Sequence, residues 1–313
     1  MLHVRVVSPS SVTGRLLERL ADHPGLENLI VLEGAVRRPA GDAVQFEVHR
    51  SAANAVFREL RALGLDGDGA ITVEQVDASL TGTGRPSRRI GSPDSEVAPV
   101  WEMVHATIRD GAVYSPSFFI LLAIAGLIAA VGILTNSQIL IVGAMVVGPE
   151  YNAIISVALG LSERHRGAVR DGLLALVFGF AAAIVLTLAF GVAVRAAGRA
   201  PAMYLHGVRP VSDLINTPNL FSVVVAILAG IVGVVSLTEA RAGALIGVFI
   251  SVTTIPAAAD IGVSLAFGSW DEARGSTLQL LLNVVLLIVV GAAGLSAQRA
   301  IWRRLGARQR SSP

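Results

Sequence analysis

The stretch VGAMVVGPEYNA, Val142 to Ala153, decides how the chain folds. It lies inside an apolar run from Ile139 to Leu161, long enough to cross a membrane as a helix. Yet Gly148, Pro149 and Glu150 sit near its midpoint. Proline removes a backbone donor and clashes with the preceding turn, so the helix must break there. An ionised carboxylate at that depth costs roughly 2.5–3.5 kcal/mol on insertion scales, so Glu150 must face protein or water rather than lipid. A broken helix carrying an acid at its break is the first indication of a membrane protein with a polar interior.

The composition agrees. The 313 residues are 53% hydrophobic and only 15% charged, against about 25% charged for a soluble domain, and the mean hydropathy is +0.66. The charges are concentrated before residue 116, and apolar blocks follow. The chain therefore divides into a cytoplasmic head at 1–80, a linker and interfacial helix at 81–115, a membrane domain at 116–298 and a basic cytoplasmic tail at 299–313. The first twenty residues lack the basic start and apolar core of a signal peptide. Cysteine is absent, which removes disulfides and thiolate chemistry. The net charge of +2 is too small to argue for nucleic acid, and the 25 basic residues are all arginine.

In the head, HVRVVS (3–8) alternates as a strand, and Val12, Leu16, Leu17 and Leu20 form one face of a helix capped by Ser10 or Ser11. Strands follow at 26–36 and 44–48, a helix at 51–63 and a strand at 70–76. This βαββαβ order predicts an α+β ferredoxin-like head, a fold that hosts many functions and selects none of them. A further helix at 94–111 carries Val97, Val100, Trp101, Val104 and Ile108 on one side and is expected to lie on the membrane surface or against the bundle.

Six apolar blocks predict an α-helical bundle of six spans: 117–134, 139–161, 172–194, 220–237, 242–267 and 278–295. They arrange as three and three. GAMVV (143–147) and GVFIS (247–251) are 104 residues apart, Pro149 and Pro256 107 apart, and SVALG (156–160) and SLAFG (264–268) 108 apart. Two consecutive three-span repeats must have opposite orientation, so this is a candidate inverted repeat with broken helices two and five. Arg164, Arg166 and Arg170, the Arg241 turn, and Arg299, Arg303, Arg304, Arg308 and Arg310 place both termini in the cytoplasm by the positive-inside rule.

The membrane half resembles the bacterial and archaeal domain-of-unknown-function family 389 over about 117–295. The resemblance rests on IVGAMVVGPEYNA (141–153), TPNLFSVVVAILAGIVGVVSLT (217–238) and GALIGVFISVTTIPAAADIGVSLAFGSWDEARGSTLQLLLN (243–283). It implies a bacterial inner-membrane protein with a small cytoplasmic head, and brings no substrate or activity. Tyr151, Asn152 and Ala153 depart from the small or proline residues of the family's first motif.

Glu150, Asn152, Thr254, Asp260 and Asn283 are the candidate pathway or ligand residues, and Gly148, Pro149 and Pro256 the helix breaks. Glu150 either caps the helix that resumes after Pro149 or lines a pathway. In an inverted repeat, Glu150 and Asp260 are placed to approach each other near the pseudo-twofold axis. Helix–helix hydrogen bonding is the ordinary role of Asn152, Thr254 and Asn283. No nucleophile elbow, metal-ligand cluster or phosphate loop is present, so neither enzymatic activity nor a metal or cofactor is expected. The expected function is a transporter or channel for a small solute or ion, tuned by the head and assembled as a homo-oligomer in the lipid bilayer. The alternative is a membrane-anchored ligand sensor or assembly scaffold without transport.

Overall fold

The computed structural model describes residues 1–21, 23, 25–65, 67, 69–76, 99–238 and 254–310. The chain forms two compact units, Met1–Ala106 and Thr107–Pro313.

The first unit opens with β1 (Leu2–Ser8), α1 (Ser10–Leu20), β2 (Leu26–Arg37), β3 (Ala40–Val48), α2 (Arg50–Ala62) and β4 (Ala70–Gln75). The sheet is antiparallel with order β2-β3-β1-β4. Alternation along β1 and β3 turns Leu2, Val4, Val6, Val44, Phe46 and Val48 inward. There they meet Leu16 and Leu20 of α1 and Ala53, Val56, Phe57 and Leu60 of α2. An irregularity in β2 between Leu32 and Val36 contains Gly34 at φ +62°, a conformation that favours glycine. Its N–H donates to Asp42 Oδ1 at 2.7 Å, and the hydroxyls of Thr13 and Ser10 donate to the same carboxylate at 2.7 and 3.2 Å. Asp42 thus ties the bulge of β2 to the start of α1. These bonds, the Gly34 N–H foremost, hold its carboxyl below the ordinary carboxylate range.

The helix α3 (Trp101–Gly111) follows; residues 77–98, where the linker and the start of this helix are expected, lie outside the described residues. The second unit continues with α4 (Pro116–Leu134), α5 (Gln138–Val147), α6 (Glu150–Glu163), α7 (Arg166–Ala196), α8 (Ala202–Leu205), α9 (Pro210–Asn216), α10 (Leu220–Thr238), α11 (Thr254–Ala266) and α12 (Trp270–Arg310). Among the described residues four helices, α4, α7, α10 and α12, are long and apolar enough to cross a membrane. The pair α5 and α6, bent by 52° at Gly148-Pro149, makes a fifth if it is one span. The fifth predicted block, 242–267, is described only from Thr254, where the 13-residue α11 begins.

The helices pair in a regular way. α4 packs on α7, and α10 on α12. α6 packs on both α7 and α12, and α11 likewise packs on both α12 and α7. α11 is the innermost element, with every residue from Thr254 to Ser264 buried. It approaches α7 closely through Gly262, which has Ile184, Thr187 and Leu188 against it. The outward faces of α7 and α10 carry Val177, Phe178, Val185, Val224, Leu228 and Ile231 exposed, the apolar surface that a bilayer covers.

Candidate functional site

The break at Gly148-Pro149 places the acid. α5 ends as Gly148 turns extended, at φ −72° and ψ 134°, and Pro149 precedes the first residue of α6, Glu150. Proline suits this place because a helix start needs no donor there. Gly148 is required for a different reason: a Cβ at this position would run into the Ile255 side chain and the Glu150 carboxylate. A bare backbone lets the start of α11 come up against the start of α6.

Glu150 is 6% exposed and Thr254 1%. The Thr254 hydroxyl donates to Glu150 Oε1 at 2.8 Å. Oε2 is buried and has no hydrogen-bond partner among the described residues. Glu150 opens α6 and Thr254 opens α11, so two helix amino termini converge on one carboxyl group. Each terminus carries free backbone N–H groups and a partial positive charge of about half a unit, which favours an anion at that point. Pro256, expected as the break of span five, is the third residue of α11 and so lies within its first turn, where its missing N–H costs nothing.

Asp260 lies six residues along α11 from Thr254, about 9 Å in axial rise and roughly 240° around the helix. It occupies its own cluster. Ser212 of α9 donates to Oδ1 at 2.7 Å and Ser276 of α12 to Oδ2 at 2.6 Å, and Asp260, Ser212 and Ser276 are all fully buried. Glu150 and Asp260 have no common hydrogen-bond partner among the described residues. Of the remaining candidates, Asn283 is buried on α12 and accepts from Gln279 one turn away at 3.3 Å. Asn152 is exposed on α6 and lies beside Gly111.

Three contributors went unseen in the sequence. Ser212 and Ser276 hold Asp260, and Arg209 anchors the connection that carries Ser212. Its Nη1 reaches Glu272 Oε2 and Ser269 Oγ, both at 2.6 Å, and its Nε donates to the Tyr204 carbonyl at 3.0 Å. The guanidinium carbon lies 4.2 Å from the centre of the Tyr204 ring. Arg195 of α7 donates to the carbonyl of Ala266, the last residue of α11, placing a cation at that helix's carboxyl end. Apart from the Arg209–Tyr204 bond, which spans 5 residues, these bonds join residues 16 to 71 apart in the chain, and no spacing pattern announces them.

Neither a curated protein nor a solved structure gave a match. The family model described as "Domain of unknown function (DUF389)" matches residues 145–289. That stretch, from Met145 in α5 to Val289 in α12, is the chain's DUF389 domain.

Proposed function

We propose that the protein is a bacterial inner-membrane transporter or channel for a small solute or ion, and that Glu150 is the group the permeating or coupling species meets. The observation that carries this reading is the state of the Glu150 carboxyl. It is buried where two helix starts converge, with one oxygen on Thr254 and the other without a partner among the described residues. A carboxylate beside a hydroxyl is suited to a proton or a small cation. Its spare oxygen is the atom that would take either.

The arrangement around it supports an inverted repeat of three and three spans. Glu150 and Thr254 are 104 residues apart, the same offset that relates GAMVV to GVFIS. α4 and α6 each pack on α7 as α10 and α11 each pack on α12, with α6 and α11 also packing on the other half. With residues 242–253 completing the fifth block, the count becomes six spans and both termini lie in the cytoplasm. The strand order β2-β3-β1-β4 of alternating direction supports a ferredoxin-like head, whose role here is to regulate the pathway. A homo-oligomer is the expected assembly.

The test is flux through the full-length protein in liposomes loaded with a pH-reporting dye, under an imposed proton or potassium gradient. The wild-type protein should dissipate the gradient faster than protein-free liposomes, and Glu150→Gln should lose most of that increment. Equal rates for wild-type and protein-free liposomes, or for wild-type and Glu150→Gln, would overturn the reading.

A further inference from the structure

At the opposite end of α6 from Glu150, the chain turns into α7 and forms a groove of about 680 Å³. Its rim is Arg164, Arg166 and Arg170, and its wall is formed by Leu173, Leu174 and Val177. The turn that carries the arginines is tightly held. Arg164 closes α6 in the left-handed conformation, at φ +59°. His165 then caps α7, its Nδ1 accepting the Ala168 N–H at 3.1 Å. Gly160 has no side chain to keep Val169 and the His165 carbonyl away.

Charge and shape on this groove point the same way. Arg166, Arg170, Leu173, Leu174 and Val177 recur at helical spacing and so share one face of α7. The wall is open, with Leu173 42%, Leu174 41% and Val177 62% exposed, on a helix long enough to cross a membrane. No ion pair is recorded for the three arginines among the described residues. Of the two nearby acids, Glu163 is engaged by Arg299 of α12, and Asp171 stands about 100° around α7 from Arg170. Among the described residues, nothing neutralises the positive charge at the rim.

We propose that this groove binds one anionic phospholipid, its phosphate on Arg164, Arg166 and Arg170 and its acyl chains along Leu173, Leu174 and Val177. Guanidinium groups pair with phosphate oxygens through fixed, forked donors, and basic recesses at the cytoplasmic edge of membrane helices suit anionic headgroups. A soluble anion would use the rim and leave the wall uncovered. A zwitterionic headgroup would set its own ammonium against three cations.

The experiment is native mass spectrometry of the full-length protein in detergent, titrated with phosphatidylglycerol or phosphatidylcholine. The wild-type protein should retain phosphatidylglycerol at about tenfold lower lipid concentration than phosphatidylcholine. The variant Arg164→Gln/Arg166→Gln/Arg170→Gln should lose that preference, and the corresponding triple lysine variant should recover much of it. Val177→Gln should weaken retention with the rim intact. Arg199→Gln, near the far end of α7, should change nothing.

Four results would overturn the proposal: full retention by the folded triple glutamine variant, an equal loss in Arg199→Gln, displacement of the lipid by millimolar inorganic phosphate, or a change of oligomer mass in place of lipid loss. The last would identify the groove as a contact between copies. Should the glutamine triple not fold, the lysine triple and Val177→Gln decide the matter: unchanged retention in Val177→Gln refutes the acyl wall. Lipid retention is read without any flux assay, so the outcome is independent of the transport reading.

Discussion

Removing the buried acid should cost less stability than removing the hydroxyl that serves it. Thr254→Val keeps the side-chain volume and deletes the donor of the 2.8 Å bond to Glu150 Oε1. Because Oε2 already lacks a partner among the described residues, the variant leaves a carboxyl group 6% exposed with neither oxygen satisfied. A buried acceptor stranded in this way costs about 1–3 kcal/mol, toward the upper end when it is charged. Glu150→Met has the opposite consequence. It removes the bond together with the polar group that needed it, and apolar replacement of buried polar partners is often close to neutral. The double variant should then resemble Glu150→Met, not the sum of the two single changes. The coupling energy of the cycle should be about 1.5–3 kcal/mol if the carboxyl is ionised and about 0.5–1.5 kcal/mol if it is protonated. The assay is unfolding of the full-length protein in mixed micelles by increasing sodium dodecyl sulfate, followed by tryptophan fluorescence. Additive costs, or a Thr254→Val variant as stable as wild type, would refute the bond and with it the convergence of α6 and α11 on Glu150.

Three further outcomes are expected. Gly262→Ala would drive a Cβ onto Thr187 Oγ1 and to 2.6 and 2.7 Å from the Ile184 carbonyl and the Leu188 amide nitrogen. Backbone cannot step aside as a side chain can, so a loss of about 2–3 kcal/mol is expected. Gly143→Ala, with nothing within 4 Å of its Cβ, should be neutral or gain up to about 1 kcal/mol in the same unfolding assay. In the head, the Asp42 carboxyl titrates below its ordinary value of 3.8, so its contribution is complete above that pH and disappears as pH falls through the lower folded value. Hydrogen exchange in peptides covering 26–48 should rise more steeply on acidification below about pH 4 in wild type than in Asp42→Asn. Equal acid responses would show that the three bonds to Asp42 do not stabilise this region.

Local pattern made much of this architecture legible. The alternation HVRVVS reads directly as β1, and the 3.6-residue recurrence of Leu16, Leu17 and Leu20 as α1. The bend at Gly148-Pro149 follows from chemistry that acts within a few residues: a missing N–H, a missing Cβ and an acid at the resumed helix start. The connection at 195–219 was illegible for the complementary reason. It contains α8 and α9, of 4 and 7 residues, too short to stand by propensity or periodicity. What fixes that connection is distant: Arg209 on Glu272, and Ser212 on Asp260. Thr254 shows the boundary between the two cases. As a polar residue at membrane depth it was a candidate with helix–helix hydrogen bonding as its ordinary role, but the carboxyl group it serves became evident only when α6 and α11 were brought together.

The same long-range contacts separate the two buried acids, which the sequence placed as partners near a pseudo-twofold axis with Glu150 the leading candidate. Asp260 has a serine hydroxyl on each oxygen, from α9 and α12, so its lone pairs tie the short helix α9 and α12 to α11. An acid so engaged would have to release one of those segments before it could receive an ion. Glu150 holds α11 with one oxygen, and the other has no partner among the described residues. A scaffold could make the same helix contact with an apolar pair and avoid the burial cost of a half-satisfied carboxyl group. Keeping the acid makes physical sense where its spare oxygen is used by something that comes and goes, and the start of α6 already supplies the partial positive charge that stabilises it between visits.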